Sequence, residues 1–186
     1  MASLTASRRI RLLILGGTGF TGPHQVRYAV ARGHHVTVFN RGRRQTELPD
    51  GVVHLQGDRN APDGLAALER EVANGTTWDV VIETSGYRHA WTRAAVAALR
   101  AQADRYVYIS STGVFWPYHT VDIAEDGRVL LTDDPPQELP TYGVMKALSE
   151  NEVREGFGER AGTSEGETRD HGRPRPGVRL PFRPAS

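Results

Sequence analysis

The chain has 186 residues, a formal net charge of +1, 38% hydrophobic residues and a mean hydropathy of −0.47. That length suits one domain able to bury a real core, and the near-zero charge supplies no global field for nucleic acid or membrane surfaces. The lack of cysteine excludes disulfides, thiolate metal sites and a thiol nucleophile and fits a cytoplasmic protein, and the first apolar run, residues 12–15, is too short for a signal peptide or a membrane span.

Strand and helix signals alternate along most of the chain. Arg11-Leu12-Leu13-Ile14-Leu15 is a continuous apolar run, as expected of a strand buried on both faces. It breaks into Gly16-Gly17-Thr18-Gly19-Phe20-Thr21-Gly22, and Pro23 then suits the first turn of a helix. Val26, Ala29 and Val30 give that helix an apolar stripe and Gly33 ends it. Residues 35–40 read as the second strand, 52–55 as the third, 64–72 as a helix, 78–84 as the fourth strand, 89–102 as an Ala-rich helix and 105–110 as the fifth strand. A long loop with Trp116, Pro117, Pro135, Pro136 and Pro140 leads to a helix carrying Tyr142 and Lys146. Such alternation predicts an α/β fold with a doubly wound parallel sheet. The pattern stops in 162–186, where Gly, Pro and Arg dominate, so a Rossmann-like domain over 8–160 and a disordered tail over 161–186 are expected.

The glycine spacing Gly16-x-x-Gly19-x-x-Gly22 falls between a buried strand and a helix. In that setting Gly16 permits a tight turn, Gly19 lets the backbone approach a pyrophosphate, Gly22 allows close helix–strand packing, and the helix N-terminus faces the anion. Sites for NAD usually place an Asp or Glu after the second strand to take the ribose hydroxyls. This chain has Asn40-Arg41-Gly42-Arg43-Arg44 there, which favours NADP over NAD, with Arg41 the leading candidate for a 2′-phosphate and Arg43 or Arg44 in support. Thr84, Ser85 and Gly86 end the fourth strand on the edge of the sheet where such folds bind cofactor.

The only lysine, Lys146, lies four residues after Tyr142, whereas every other Lys-or-Arg position is Arg. Residues four apart share a helix face, and an ammonium beside a phenol favours the phenolate, so the pair suits proton transfer near neutral pH.

Taken in order, Gly16 to Gly22, Asn40-Arg41-Gly42, Gly57-Asp58-Arg59, Ser110-Ser111-Thr112 and Tyr142-x-x-x-Lys146 resemble the motifs of extended short-chain dehydrogenase/reductases, in particular the NAD-dependent epimerase/dehydratase branch. The resemblance covers residues 10–160. It implies a cofactor site that includes Gly16, Gly17, Thr18, Gly19, Phe20, Gly22, Asn40, Arg41, Asp58, Thr84 and Lys146, with Asp58 at the adenine. It also implies Tyr142 as general acid/base, Lys146 on the nicotinamide ribose, and Ser111 on the substrate oxygen, with Thr112 and Ser110 as alternatives. The substrate is then a small molecule with a hydroxyl or keto group, a nucleotide sugar among the candidates. Neither nucleic acid nor membrane is expected as a partner, nor is a metal.

Two departures shape the expectations. Thr84-Ser85-Gly86-Tyr87 replaces the family's usual small-residue segment, and the change of composition after Gly158-Glu159-Arg160-Ala161 reads as a C-terminal truncation or frame change. The last strands and a substrate lobe would then be missing, leaving the fifth strand as an exposed edge. Association through that edge, or as a homodimer through helices near 89–102 and 142–156, is anticipated. His89, Trp116, Tyr118 and His119 fall on segments able to line a substrate pocket, and Asp79 and Glu83 read as strand-end polar groups. A non-catalytic dinucleotide-binding module, or an inactive remnant, is the competing function.

Overall fold

A computed structural model describes residues 8–44, 47–115 and 141–163. The expectations for Trp116, Tyr118, His119 and the segment 164–186 therefore lie outside the described residues.

Six parallel strands form one sheet in the order β3-β2-β1-β4-β5-β6. They are β1 (Arg11–Leu15), β2 (His35–Asn40), β3 (Val53–Gln56), β4 (Trp78–Glu83), β5 (Ala103–Tyr108) and β6 (Ala161–Thr163), joined by helices α1 (Gly22–Ala31), α2 (Ala66–Ala73), α3 (His89–Leu99) and α4 (Thr141–Phe157). Strand β1 sits at the centre, with Leu12 opposite Val36 of β2 and Val80 of β4. Its alternate side chains point to opposite faces. Leu13 and Leu15 join the larger core with Leu68, Val96, Leu99, Val153 and Phe157 from α2, α3 and α4. Leu12 and Ile14 meet Val26 and Ala29 of α1 on the other face. A run apolar at every position is what this two-sided burial requires.

The bounds of β1 and β2 are those read from the sequence, while β5 starts and ends two residues earlier than expected. The earlier start follows from Ala103, which is buried and pairs with Trp78 of β4. The expectation that β5 is a bare edge is overturned. Helix α4 ends at Phe157, Gly158 turns the chain at φ 55°, and Ala161, Gly162 and Thr163 pair with Tyr106, Val107 and Tyr108. Arg160 anchors the turn by donating to the Ala103 carbonyl at 2.9 Å. The sheet thus reaches three residues beyond the boundary expected at 160. Ala-Gly-Thr has no apolar alternation from which a strand could be read.

Among the described residues no helix is long and apolar enough to cross a membrane.

Candidate active site

The chain reverses its winding direction between β1 and β4, and this switch point opens a crevice at the carboxyl ends of the strands. A cavity of about 200 Å³ lies there, lined by Gly16, Thr18 and Gly19 after β1, Asn40 to Arg44 after β2, Asp58 and Arg59 after β3, and Thr84 and Ser85 after β4.

Each glycine of the first loop has a distinct physical reason. Gly16 has φ 124°, and a Cβ there would stand 2.2 Å from Thr84 Oγ1. A Cβ on Gly22 would lie 2.4 Å from the carbonyl carbon of Gly17, so only glycine lets α1 start this close to the loop. Gly19 faces open space, with nothing within 4 Å of its Cβ position. Helix α1 begins without a side-chain cap at Thr21. Its first N–H groups lack an internal acceptor. Gly17 and Gly22 shape the loop from behind, and Phe20 projects outward, 95% exposed, so these three do not line the cavity.

At the end of β2 the Asn40 side chain donates to the Gly16 carbonyl at 2.8 Å and accepts the Gly42 N–H at 2.8 Å. Asn40 thereby ties the glycine loop to the arginine loop. Arg41 is exposed at the cavity, held through its carbonyl by Gln56. Arg43 pairs with Asp58 at 3.1 Å. The Asn60 backbone N–H holds the Asp58 carboxyl below its ordinary value, with help from the Asn60 side chain and the charges of Arg43 and Arg41 against the cost of burial. Thr84 and Ser85 both donate their hydroxyls to the Leu15 carbonyl, at 3.1 and 2.9 Å, and so brace β4 against β1.

A second group assembles at the N-terminal end of α4. Gly143 packs so tightly on the turn Thr112–Phe115 that a Cβ would meet the Gly113 carbonyl oxygen at 2.1 Å. This contact sets the Tyr142 ring beside Gly113, next to Ser111, whose Oγ accepts the Gly113 N–H at 3.1 Å. Tyr142 is 47% exposed, while Lys146, one turn on, is buried. The ammonium donates to the carbonyls of Ile109 and Gly86 and lies 4.2 Å from the centre of the Tyr108 ring. Burial lowers the Lys146 pKa to about 8, opposed by the charges of Glu83 and Glu150. Ser110 turns away from Tyr142 and donates to Glu150, which also takes Arg154 at 2.8 Å. Ser111 thus stands beside the Tyr142 region.

Several polar residues hold the frame. Asp79 receives the Arg8 guanidinium and the Arg11 N–H, both at 2.7 Å, in keeping with a strand-end role. His89 bonds Glu152 at 2.6 Å and so ties α3 to α4. Glu83 is more than a strand-end group: fully buried, it pairs with Arg59 and accepts the Tyr106 hydroxyl at 2.8 Å. Sequence reasoning missed Tyr108 and Gly143, and named Arg59 and Gly86 only within motifs, because the contacts these residues make are long-range and no local spacing reveals them. Among the described residues no group of three His, Asp or Glu is placed to hold a metal.

The chain is similar to known proteins in sequence and in fold. Residues 16–133 match the NAD(P)H-binding family. The chain is 34% identical over 161 residues to 2′-dehydrokanamycin reductase of Streptomyces kanamyceticus, covering 84% of this chain and 40% of that protein. It is 30% identical to the chloroplast stem-loop binding protein of 41 kDa b of Arabidopsis thaliana, covering 80% of this chain and 41% of that one. The Bordetella bronchiseptica enzyme WbmG, solved with NAD and UDP, superposes with a TM-score of 0.63 at 16% identity, over 78% of this chain and 49% of that one. The chain thus spans about two fifths of the length of these curated relatives.

Proposed function

Because the chain belongs to the NAD(P)H-binding family, we infer that the crevice binds a nicotinamide dinucleotide, NADP in preference to NAD, and serves oxidoreductase or epimerase/dehydratase chemistry on a hydroxyl or keto group. The observation that carries this reading is the convergence of two loops on one cavity: a glycine turn with no room for a Cβ at Gly16 or Gly22, and an Asn-Arg-Gly-Arg-Arg segment without a carboxylate. Gly19 leaves space for a pyrophosphate to approach the backbone at the uncapped start of α1. Arg41, exposed at the cavity, offers a planar fork to a 2′-phosphate. Asp58, which lines the same cavity, offers an acceptor to an adenine amino group.

The bound nicotinamide supplies a hydride acceptor or donor. The chain's own part is to move the proton and align the reacting carbon. In oxidation of a carbinol the hydroxyl proton passes to the Tyr142 phenolate as the C–H hydride leaves, and in reduction Tyr142 returns that proton to the carbonyl oxygen. Ser111 steadies the same oxygen, and Lys146 supplies positive charge that favours the phenolate. Small-molecule substrates, nucleotide sugars among them, a cytoplasmic setting and a homodimer through α3 and α4 complete the reading.

A thermal melt with and without cofactor tests the binding half. A ligand that binds only the folded chain stabilises it by about 2.7 kcal/mol at a hundredfold excess over Kd, and NADPH is expected to raise Tm more than NADH does. The catalytic half is tested by Tyr142→Phe, expected to lower turnover by about 10²–10⁴-fold while leaving the NADPH-induced rise in Tm unchanged. Equal turnover in the variant would remove Tyr142 from the chemistry. Cofactor binding without turnover in the unaltered chain would favour the non-catalytic module.

A further inference from the structure

A continuous set of contacts runs from the cavity to Lys146, and it starts at a residue with no role in the reading above. Arg59 follows Asp58 but turns inward, its side chain only 7% exposed. One terminal nitrogen pairs with Glu83, and the other donates to both the carbonyl and the hydroxyl of Ser85 at 2.7 Å. The Trp91 ring lies 5.2 Å from the guanidinium. Arg59 therefore grips the turn after β4 at two points.

That turn is packed without slack. A Cβ on Gly86 would stand 3.0 Å from the Glu83 carboxyl carbon and 2.5 Å from Tyr108 Cε2, so the backbone of Gly86 is wedged between the carboxylate and the ring. The Gly86 carbonyl accepts the Tyr108 hydroxyl at 2.7 Å and lies 3.4 Å from the Lys146 ammonium, which also rests over the Tyr108 ring. Moving Gly86 would move two of the features that seat the ammonium. A buried ion pair is a poor device for stability, since apolar replacement of both partners is often neutral or favourable. A planar fork bonded to a carboxylate and two further oxygens is instead a good device for fixing geometry.

We propose that Arg59 is a positioning residue for Lys146: gripping Glu83 and Ser85, it fixes the turn whose Gly86 carbonyl, with the Tyr108 ring, seats the ammonium. That this seat serves a dinucleotide reaction rests on the function proposed above. The seat itself does not.

Because Lys146 is the only lysine, growth on [ε-13C]lysine gives a single NMR signal that reports its surroundings and its protonation. The decisive variant is Arg59→Gln/Glu83→Gln, which removes one charge of each sign and leaves the net charge unaltered. Positioning predicts that the Lys146 signal moves toward that of exposed lysine and that its titration midpoint rises toward 10.5, whereas a midpoint that only falls, as loss of the Glu83 charge alone would cause, overturns the proposal. A signal and midpoint coinciding with those of the unaltered chain would overturn the proposal. If this variant shows no cooperative melt, Ser85→Ala, which deletes one acceptor of the Arg59 fork and no charge, is read in the same way: displacement of the signal supports the proposal and coincidence sinks it. Adding NADPH and NADH to the unaltered chain separates the two readings. If neither moves the signal or the melt, the cofactor reading fails while the variants still decide the seat.

Discussion

Lys146 sets burial against charge most sharply. Its ammonium is lowered to about 8 by desolvation, from an ordinary 10.5, although Glu83 and Glu150 oppose the change. Between those two values the unfolded chain holds a proton that the folded chain has shed. Stability from this group is therefore lowest below pH 8 and rises as pH climbs toward 10.5, by at most about 1 kcal/mol per pH unit. Lys146→Met is expected to remove that rise, which urea melts of both chains at pH 7 and pH 10 would reveal as a difference that shrinks at the higher pH. Arg41 offers a test that separates the two dinucleotides. Losing a charged fork costs roughly 1.5–3 kcal/mol, so Arg41→Ala should weaken NADPH binding by about 10–100-fold in a fluorescence titration. NADH binding should change little, and equal loss of both would assign Arg41 to the shared part of the cofactor. At this scale the sequence was legible where one residue type has one use: Gly16 for its φ of 124° and Gly22 for its contact with Gly17. It was silent on what Gly86 and Gly143 pack against, since their partners Tyr108 and Gly113 lie 22 and 30 residues away.

Elements with a strong local signal were read well, and those held by distant contacts were not. Strands β1 and β2 carry their own apolar alternation or run, and their limits coincide with those expected. Strand β6 exists because Gly158 turns the chain and Arg160 bonds Ala103, neither of which leaves a periodic trace. Helix α1 illustrates how an element positions a site. Its first residue has no room for a methyl group, so Gly22→Ala must push the helix away from Gly17. Forcing extra atoms into a packed contact costs about 1–3 kcal/mol, and because the glycine loop moves with the helix, cofactor affinity should fall together with Tm. A variant that loses Tm but binds NADPH as before would separate the loop's shape from its function. Helices α3 and α4 are joined by a different device. Burial would raise the Glu152 carboxyl, yet hydrogen bonds from Arg93 and His89 and their charges lower it, so this link strengthens above the ordinary carboxylate range and weakens as pH falls through the folded value.

Viewed as one molecule, the chain joins two candidate half-sites across a single sheet. The carboxyl ends of β1, β2 and β3 carry the cavity with its arginines, and the carboxyl end of β5 with the start of α4 carries Ser111 and Tyr142. The fold class was legible because alternating strand and helix signals admit few topologies, and the order β3-β2-β1-β4-β5-β6 is one of them. Which residues touch between the half-sites was not legible, since β4 and its turn bridge them only after the sheet has formed. Every pairing in this sheet is parallel, and the central one brings Leu12 beside Val80. Among the described residues no hairpin is available to nucleate it, so β1 and β4 must close a long loop before they gain contact. Sheets of this kind are intrinsically slow to form and expose unpaired strands on the way. Stopped-flow refolding should accordingly proceed in milliseconds to seconds rather than microseconds, and recovery of native protein should fall as the concentration during refolding rises.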